Sequence, residues 1–232
     1  MYYKAKMIKY GDKISLTMIT LNEELSVKKV INDIKNIDER IEINIVDSST
    51  DKTPDIAKSL GANVYRQFPP SGYGPAMDYA LKCSNRELII TVDCDDTYPL
   101  SQVDQFSKLI FEQNFDVVDG NRLPKKPKFM PYINYFANYG FALIASLLFF
   151  VRIKDLHSGM RAYRKSILNK LPYKVEGVSL PVELILWPLR LGLKVKFVDI
   201  EYNERIGQSK LEPLRAAWWT IYRIVRARFL KL

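Results

Sequence analysis

The stretch ELIITVDCDDTYP, residues 87–99, joins an apolar run to a cluster of acids. The apolar half predicts a buried strand, because continuous β-branched runs are typical of strands covered on both faces. In an extended backbone, residues i and i+2 point the same way, so Asp93 and Asp95 are expected to face one ion or ligand. Oxygen ligands suit Mg²⁺ or Mn²⁺, and the pattern favours a metal site. An acidic turn that caps the next helix is the alternative.

Strand-like segments alternate with segments of helical spacing on both sides of this stretch. Strands are predicted at 14–20, 41–46, 62–66, 87–93, 115–120 and 194–200. Helices are predicted at 27–37, 53–60, 75–84, 101–113 and 181–191. This alternation indicates βαβ units, so we expect an α/β fold in which a mostly parallel sheet is flanked by helices.

Polar residues follow the predicted strands where ligands of such sheets bind, at the carboxyl ends. Asn22 and Glu23 follow the first strand, Asp47 ends the second, and Arg122 follows the strand at 115–120. A turn at 72–74, Gly-Tyr-Gly, would let the backbone approach a phosphate, although a plain flexible turn explains it equally well. These residues predict a ligand-binding site at the carboxyl ends of the strands.

Composition excludes several classes of protein. Hydrophobic residues make up 47% and charged residues 26%, which is typical of a globular chain. The 35 basic and 26 acidic residues leave a net charge of +9, so an anionic partner is expected. Two cysteines are too few for a disulfide scaffold. The single histidine, His157, is expected to be structural or exposed.

Seven motifs, in order between residues 20 and 211, carry a family resemblance. They are TLNE (20–23), VDSSTDKT (46–53), GYGPAMDYAL (72–81), VDCDDTYP (92–99), DGNR (119–122), DLHSGMRAYRK (155–165) and ERIGQSKL (204–211). Together they resemble family 2 inverting glycosyltransferases of the GT-A fold, especially polyprenyl-phosphate hexose synthases of the dolichol-phosphate mannose synthase type. The resemblance implies a Rossmann-like GT-A catalytic domain over residues 1–211, a nucleotide-sugar donor and Mg²⁺ or Mn²⁺.

The resemblance also implies roles for single residues. Expected donor contacts are Thr20, Asn22, Glu23, Asp47, Gly72, Asp93, Cys94 and Asp95. Expected metal ligands are Asp93, Asp95 and Thr97, and expected contacts of the acceptor phosphate are Arg122, Ser158 and Arg161. Expected catalytic residues are Asp95, Arg122, Arg161, Arg205 and Lys210. The four cations would stabilise charge on the departing nucleoside diphosphate. Glu183 lies where relatives keep an acid in a helix.

The implied reaction is a single displacement at the anomeric carbon by a polyprenyl or dolichyl monophosphate. Mannose from GDP-mannose is the expected donor pair, and inversion would give a β-linked product. The second pKa of a phosphate is about 6, so this nucleophile needs no strong base. Alternatives are a UDP-glucose-dependent lipid-phosphate enzyme, a family 2 enzyme with a glycan or protein acceptor (Asp155 then being the candidate base), and a silent membrane scaffold. Nucleic-acid binding is not expected, because the acid cluster would repel a phosphate backbone.

Two segments predict contact with a membrane surface. Residues 129–153 contain an apolar stretch shorter than the roughly 20 residues of a span, so an interfacial helix is expected, with a buried helix as the alternative. Residues 212–232 predict an amphipathic helix whose apolar face is Trp218, Ile221, Tyr222, Val225 and Phe229. Its flanking cations are Arg215, Arg223, Arg226, Arg228 and Lys231. Such a helix suits an anionic leaflet, and docking on its own domain or a partner is the alternative.

The N-terminal sequence contains no apolar signal-peptide region. We therefore expect a peripheral protein on the cytoplasmic face of a membrane. The resemblance leaves room for a separate membrane subunit, because some relatives carry transmembrane helices beyond this point.

Overall fold

A computed structural model describes residues 7–207 and 212–231. The strands are β1 (Ile14–Thr20), β2 (Glu42–Asp47), β3 (Asn63–Arg66), β4 (Leu88–Thr91), β5 (Val117–Asn121), β6 (Arg161–Arg164) and β7 (Val195–Asp199). The helices are α1 (Val27–Ile37), α2 (Thr53–Ser59), α3 (Tyr73–Cys83), α4 (Val103–Phe111), α5 (Tyr132–Phe149), α6 (Lys165–Leu168), α7 (Leu180–Arg190) and α8 (Pro213–Phe229).

One sheet joins these strands in the order β3-β2-β1-β4-β6-β5-β7. Strand β6 runs antiparallel to both of its neighbours, and the other paired strands are parallel. The prediction of a mostly parallel sheet flanked by helices is therefore confirmed. The strand order reverses around β1, and a crevice outside the carboxyl ends of the strands is expected at such a switch point.

Two apolar clusters cover the two faces of the sheet. Alternate residues of β4 show the division, because Ile90 packs in one cluster and Ile89 in the other. The first cluster takes buried side chains from α1 and α4. The second takes them from α3, α7 and α8. The sheet is therefore sandwiched between helices, and only its edges and strand ends reach solvent.

The sequence predicts neither strand β6 nor the short helix α6 that follows it. The four residues of β6, Arg-Ala-Tyr-Arg, fall inside the motif at 155–165. Arg161 is nevertheless buried, and it lies opposite Asp119 of β5 in the antiparallel register. A charged side chain can occupy this strand because the neighbouring strand supplies its counter-charge.

Helix α8 is amphipathic, as predicted, but its cations are divided between two environments. Arg223 is fully buried and Arg226 is 19% exposed, and both pair with Glu183 of α7. These two arginines therefore dock α8 on its own domain, which corrects the expectation that they flank a membrane face. Trp218 and Phe229, on the other side of α8, stay exposed.

Helix α5 carries most of the exposed apolar surface. It is one helix, among the described residues, that is long and apolar enough by length and composition to cross a membrane, with a mean hydropathy of 1.2. Only 11% of that helix is buried. The residue that follows the helix, Phe150, has a positive φ of 57° and is 85% exposed. The alternative of an ordinary buried helix is thus excluded.

We predict that Gly74→Ala destabilises the fold by about 3 kcal/mol, because the added methyl group overpacks the start of α3. A Cβ at Gly74 would lie 1.8 Å from the carbonyl oxygen of Val175. Gly140→Ala in α5 is the matched control, since no atom lies within 4 Å of its Cβ. That control should be neutral or stabilising by up to about 1 kcal/mol. Urea unfolding measures both, and equal midpoints for the two variants would contradict the packing described here.

Candidate active site

Asp95 is held in place from two sides at the carboxyl end of β4. Its Oδ1 accepts hydrogen bonds from the Thr97 backbone nitrogen at 3.1 Å and from Thr97 Oγ1 at 2.6 Å. Its Oδ2 accepts one from Arg205 Nε at 2.6 Å. The structure thus brings together three predicted site residues, and Asp95 itself is buried. Thr97, predicted as a metal ligand, uses its hydroxyl to orient Asp95.

The surroundings of the Asp93 carboxylate differ from those of Asp95. It is partly buried, and within residues 7–207 and 212–231 its carboxylate accepts no hydrogen bond. Burial, and then the charge of Asp95, raise the pKa of the Asp93 carboxyl well above its usual range. Its oxygens lie over Gly159, where a Cβ would come within 2.8 Å of them. Arg205 therefore neutralises Asp95, whereas Asp93 has no ion-pair partner among the described residues.

These two acids fit a divalent cation. Carboxylate oxygens are the preferred ligands of Mg²⁺ and Mn²⁺, which commonly take one or two of them and complete their shell with water and phosphate oxygens. No group of three or more His, Cys, Asp or Glu side chains is placed to hold a metal within the described ranges. Asp93 and Asp95 would therefore hold the ion together with a bound diphosphate.

Cys94, predicted as a donor contact, turns away from this edge. Its side chain packs in the first apolar cluster, and its carbonyl oxygen accepts a hydrogen bond from Ser26 Oγ at 2.5 Å. Cys94 lies in the turn that follows β4, and its buried side chain packs inward there. The thiol is thus a core group and not a ligand contact.

Both carboxylate oxygens of Asp47 accept hydrogen bonds from other residues of the chain. Its Oδ1 accepts hydrogen bonds from Thr20 Oγ1 at 2.7 Å and Ser49 Oγ at 2.6 Å. Its Oδ2 accepts one from the Ser49 backbone nitrogen at 3.1 Å and one from Arg66. Arg66 was not among the predicted residues, although its place at the end of β3, opposite Asp47 in the parallel register, could have indicated it. A nucleoside that reaches Asp47 must therefore compete with Arg66.

Asn22 and Glu23 tie the loop after β1 to the loop after β2. The Asn22 backbone nitrogen donates to Ser49 Oγ at 2.7 Å, and that of Glu23 donates to Thr53 Oγ1 at 2.8 Å. Asn22 Oδ1 accepts a hydrogen bond from the Thr50 nitrogen at 2.8 Å. The structure thus places both predicted donor contacts at the carboxyl edge, beside Asp47.

Arg122 and Asp155 form a buried, bidentate ion pair. Arg122 Nε and Nη2 donate to the two carboxylate oxygens at 2.7 and 3.0 Å. Burial opposes ionisation of Asp155, but the charge and hydrogen bonds of Arg122 outweigh it and lower the pKa of Asp155 to about 2. Asp155 is therefore a weak base, and Arg122 has a counter-charge before any phosphate arrives.

The predicted acceptor-phosphate residues Arg161 and Ser158 are both fully buried. Arg161 pairs with Asp119 and donates to the carbonyl oxygens of Leu156 and Pro181. Ser158 Oγ donates to the Met160 carbonyl oxygen at 3.4 Å. This geometry corrects the expectation that either residue is open to a phosphate. Lys210 lies outside the described residues.

The turn before α3 offers a phosphate fewer donors than its glycines suggest. Gly72 is exposed with a φ of +100°. The Gly74 nitrogen already donates to the Gly177 carbonyl oxygen at 3.0 Å, and Pro75 has no N–H group. Tyr73 lies near the acids, since burial and then the charge of Asp93 raise the pKa of its phenol. The predicted donor residue Gly72 directly precedes Tyr73 in this turn.

His157 is a structural residue, in agreement with the sequence. Its Nε2 lies 2.8 Å from Thr220 Oγ1 of α8, and its ring packs against Phe141 of α5. Burial lowers the pKa of His157 to about 4, so the ring is neutral near pH 7. It therefore supplies no positive charge for a phosphate.

Comparison with known proteins agrees with this geometry. The sheet and its acidic edge define a Rossmann-like glycosyltransferase fold of the GT-A class. Residues 15–172 match the glycosyl transferase family 2. The chain belongs to that family.

One relative, a dolichyl-phosphate hexose transferase of Haloferax volcanii, is 40% identical over 203 residues, which are 87% of this chain and 88% of the relative. The low-salt glycan biosynthesis hexosyltransferase Agl6 of the same organism is 28% identical, over 88% of this chain and 51% of that protein. Glucosyl-3-phosphoglycerate synthase from Mycobacterium tuberculosis, solved with Mn²⁺ and UDP, shares the fold with a TM-score of 0.75 at 22% identity, covering 97% of this chain and 82% of that one.

We predict that Asp93→Asn stabilises the metal-free protein by about 1–2 kcal/mol, because it removes a buried charge that accepts no hydrogen bond from the described residues. An acid with a raised pKa costs stability in its charged form, so this gain should shrink as the pH falls from 8 to 5. Mn²⁺ should raise the Tm of the wild type and leave that of the variant unchanged. Asp96→Asn is the control, since Asp96 pairs with Lys29 at 2.7 Å. A wild type whose Tm ignores Mn²⁺ would contradict this prediction.

Proposed function

We propose that the protein transfers a hexose from a nucleotide sugar to a polyprenyl or dolichyl monophosphate, with inversion at the anomeric carbon. Family membership supports the glycosyl transfer, and the 40% identical relative supports the lipid-phosphate acceptor. The observation that carries the proposal is the state of Asp155. Its ion pair with Arg122 and a pKa of about 2 make it unfit to deprotonate a neutral hydroxyl acceptor. An acceptor that is already an anion needs no such base.

The paired acids at the end of β4 support a divalent metal, Mg²⁺ or Mn²⁺. Asp93 and Asp95 would hold the ion, which neutralises charge on the departing diphosphate when it is bound. Arg205 lies against Asp95 and is 33% exposed, so it can also reach a phosphate oxygen. We assign Arg205 and Lys210 to the leaving diphosphate, and Arg122 to the acceptor side. Arg161 and Ser158 are buried, so we assign neither of them a direct contact with the acceptor phosphate.

The donor is proposed to be GDP-mannose, with UDP-glucose as the second candidate. Ser49, Thr50, Arg66 and Phe68 line a cavity of about 440 Å³ beside Asp47. The Arg66 guanidinium lies 5.9 Å from the centre of the Phe68 ring, and both groups offer a flat surface to a base. Either base fits this description, so the proposal for GDP-mannose rests on the sequence resemblance.

Exposed apolar rows on α5 and α8 support docking on the cytoplasmic face of a membrane, as a peripheral protein. The exposed large side chains of α5 include Ile133, Phe136, Tyr139, Leu143 and Leu147. Those of α8 are Leu214, Trp218, Ile221, Val225 and Phe229. The helices contact each other, so both rows belong to one region of the molecule. A leaflet at this region would bring the lipid acceptor to the protein, and a membrane subunit is a further proposed partner.

Transfer to a short polyprenyl phosphate tests the proposed reaction, with GDP-mannose and UDP-glucose offered in parallel with Mn²⁺. We expect a lipid-linked sugar from one donor and a loss of at least about 100-fold with Asp95→Asn, because the metal and Arg205 lose their shared carboxylate. Asp96→Asn is the matched control, since Asp96 pairs with Lys29 and asparagine tolerates its φ of 65°. Nucleotide-sugar binding without any lipid product would refute the acceptor, and equal losses in both variants would refute the site.

Flotation with vesicles of phosphatidylcholine and phosphatidylglycerol tests the membrane surface. We expect Trp218→Ser and Leu147→Ser each to weaken vesicle binding by about tenfold or more, because each removes a large apolar side chain from the docked face. Leu25→Ser is the control, since Leu25 is 76% exposed in the loop before α1. If all three variants bind vesicles as the wild type does, the surface has another use.

A further inference from the structure

The segment 173–179 lies against the first turns of α3. The Gly177 carbonyl oxygen accepts a hydrogen bond from the Gly74 nitrogen at 3.0 Å. The Tyr173 hydroxyl donates to Asp78 Oδ1 at 2.8 Å, one helical turn further along α3. Because a Cβ at Gly74 would overlap this segment, the two backbones are in direct contact. Movement of the segment must therefore move the start of α3.

Arg223 of α8 fixes the same segment from the other side. Its Nε donates to the Val178 carbonyl oxygen at 2.7 Å. Its Nη1 and Nη2 donate to those of Lys174 at 2.9 Å and Glu176 at 2.8 Å. One fully buried guanidinium thus satisfies three carbonyl groups of a segment that has no helix or strand of its own.

Glu183 of α7 fixes the guanidinium in turn. Its Oε1 accepts a hydrogen bond from Arg223 Nη1 at 2.8 Å, and its Oε2 accepts one from Trp187 Nε1 at 2.8 Å. The acid is buried, so the pair is worth most when both partners and all hydrogen bonds are present. A lysine could keep the charge opposite Glu183, but it could not span three carbonyl groups.

A second contact joins α8 to this segment. Gly177 has a φ of +80°, and a Cβ there would lie 2.2 Å from the Trp219 indole. The indole therefore packs directly against the backbone of the segment. Within the described residues, neither Arg223 nor Trp219 is hydrogen-bonded to Asp93 or Asp95, and residues 173–179 with α3 form one route from α8 to the site.

We propose that Arg223 is a positioning residue for the nucleotide-sugar donor. By holding the segment 173–179, it holds the start of α3 and with it the turn at Gly72 and Tyr73, where the sequence predicts a donor contact. This inference rests on the proposed function for its ligand. It also makes donor affinity depend on the docking of α8, the helix whose opposite face we assign to the membrane.

Arg223→Lys tests the proposal. We expect the KM of the donor to rise about tenfold, because the hydrogen bonds that hold the segment are lost while the charge is kept. The acceptor KM should be unchanged and kcat should stay within about twofold. The matched control is Arg190→Gln, which breaks the hydrogen bond of Arg190 Nη1 to the Ala227 carbonyl oxygen at 2.7 Å and so loosens α8 elsewhere. A merely structural role would lower the Tm in both variants and move the donor KM in neither.

Titration of the protein with UDP and with GDP, each in the presence of Mn²⁺, separates this inference from the proposed function. Tyr173→Phe serves as the second variant should Arg223→Lys fail to fold, and it should weaken binding of the preferred nucleotide about threefold. Nucleotide binding that is unchanged in both folded variants, or equally weakened by Arg190→Gln, would overturn the inference while leaving the transfer reaction intact. A wild type that binds neither nucleotide would overturn both.

Discussion

Repulsion between the carboxylates of Asp93 and Asp95 is the constraint on which the acidic edge depends. Two like charges at the end of a buried strand are costly, because little water is present to screen them. Within the described residues, the fold offsets this repulsion at Asp95 only. Thr97 orients Asp95, and Arg205 neutralises it from the chain after β7, far along the sequence. Strand β7 is an edge strand, and the chain after it returns to the end of β4, where the Ile206 nitrogen donates to the Asp95 carbonyl oxygen and Arg205 to its carboxylate.

The sequence predicts the apolar strands and most helices because their patterns are local. It predicts Asp95 and Arg205 as site residues, and the structure brings them together. It does not predict β6, because the counter-charge of Arg161 comes from Asp119, which precedes it by 42 residues. For the same reason the sequence predicts Arg223 as a surface cation, whereas the structure pairs it with Glu183 in the interior. Local patterns do not show which arginines have a buried partner elsewhere in the chain.

Three arginine–carboxylate pairs are almost fully buried within the described part of the chain. They are Arg122–Asp155, Arg161–Asp119 and Arg223–Glu183. Such pairs add little net stability compared with apolar packing, but losing one partner is expensive. Each pair joins segments far apart in the sequence, so together they fix how β5, β6, α7 and α8 meet. These three arginines are therefore already paired with carboxylates of the protein before any anionic ligand binds.

The apolar rows of α5 and α8 have a consequence for handling the protein and for its fate in a cell. Side chains such as Phe150, 85% exposed, attract any other apolar surface in water. Two copies that meet before a lipid covers this region would adhere to each other, at a rate that grows with concentration. If the region docks on a membrane as proposed, newly made chains would partition between self-association and binding to a bilayer. Purification in a mild detergent would mask the same region and keep the chains apart.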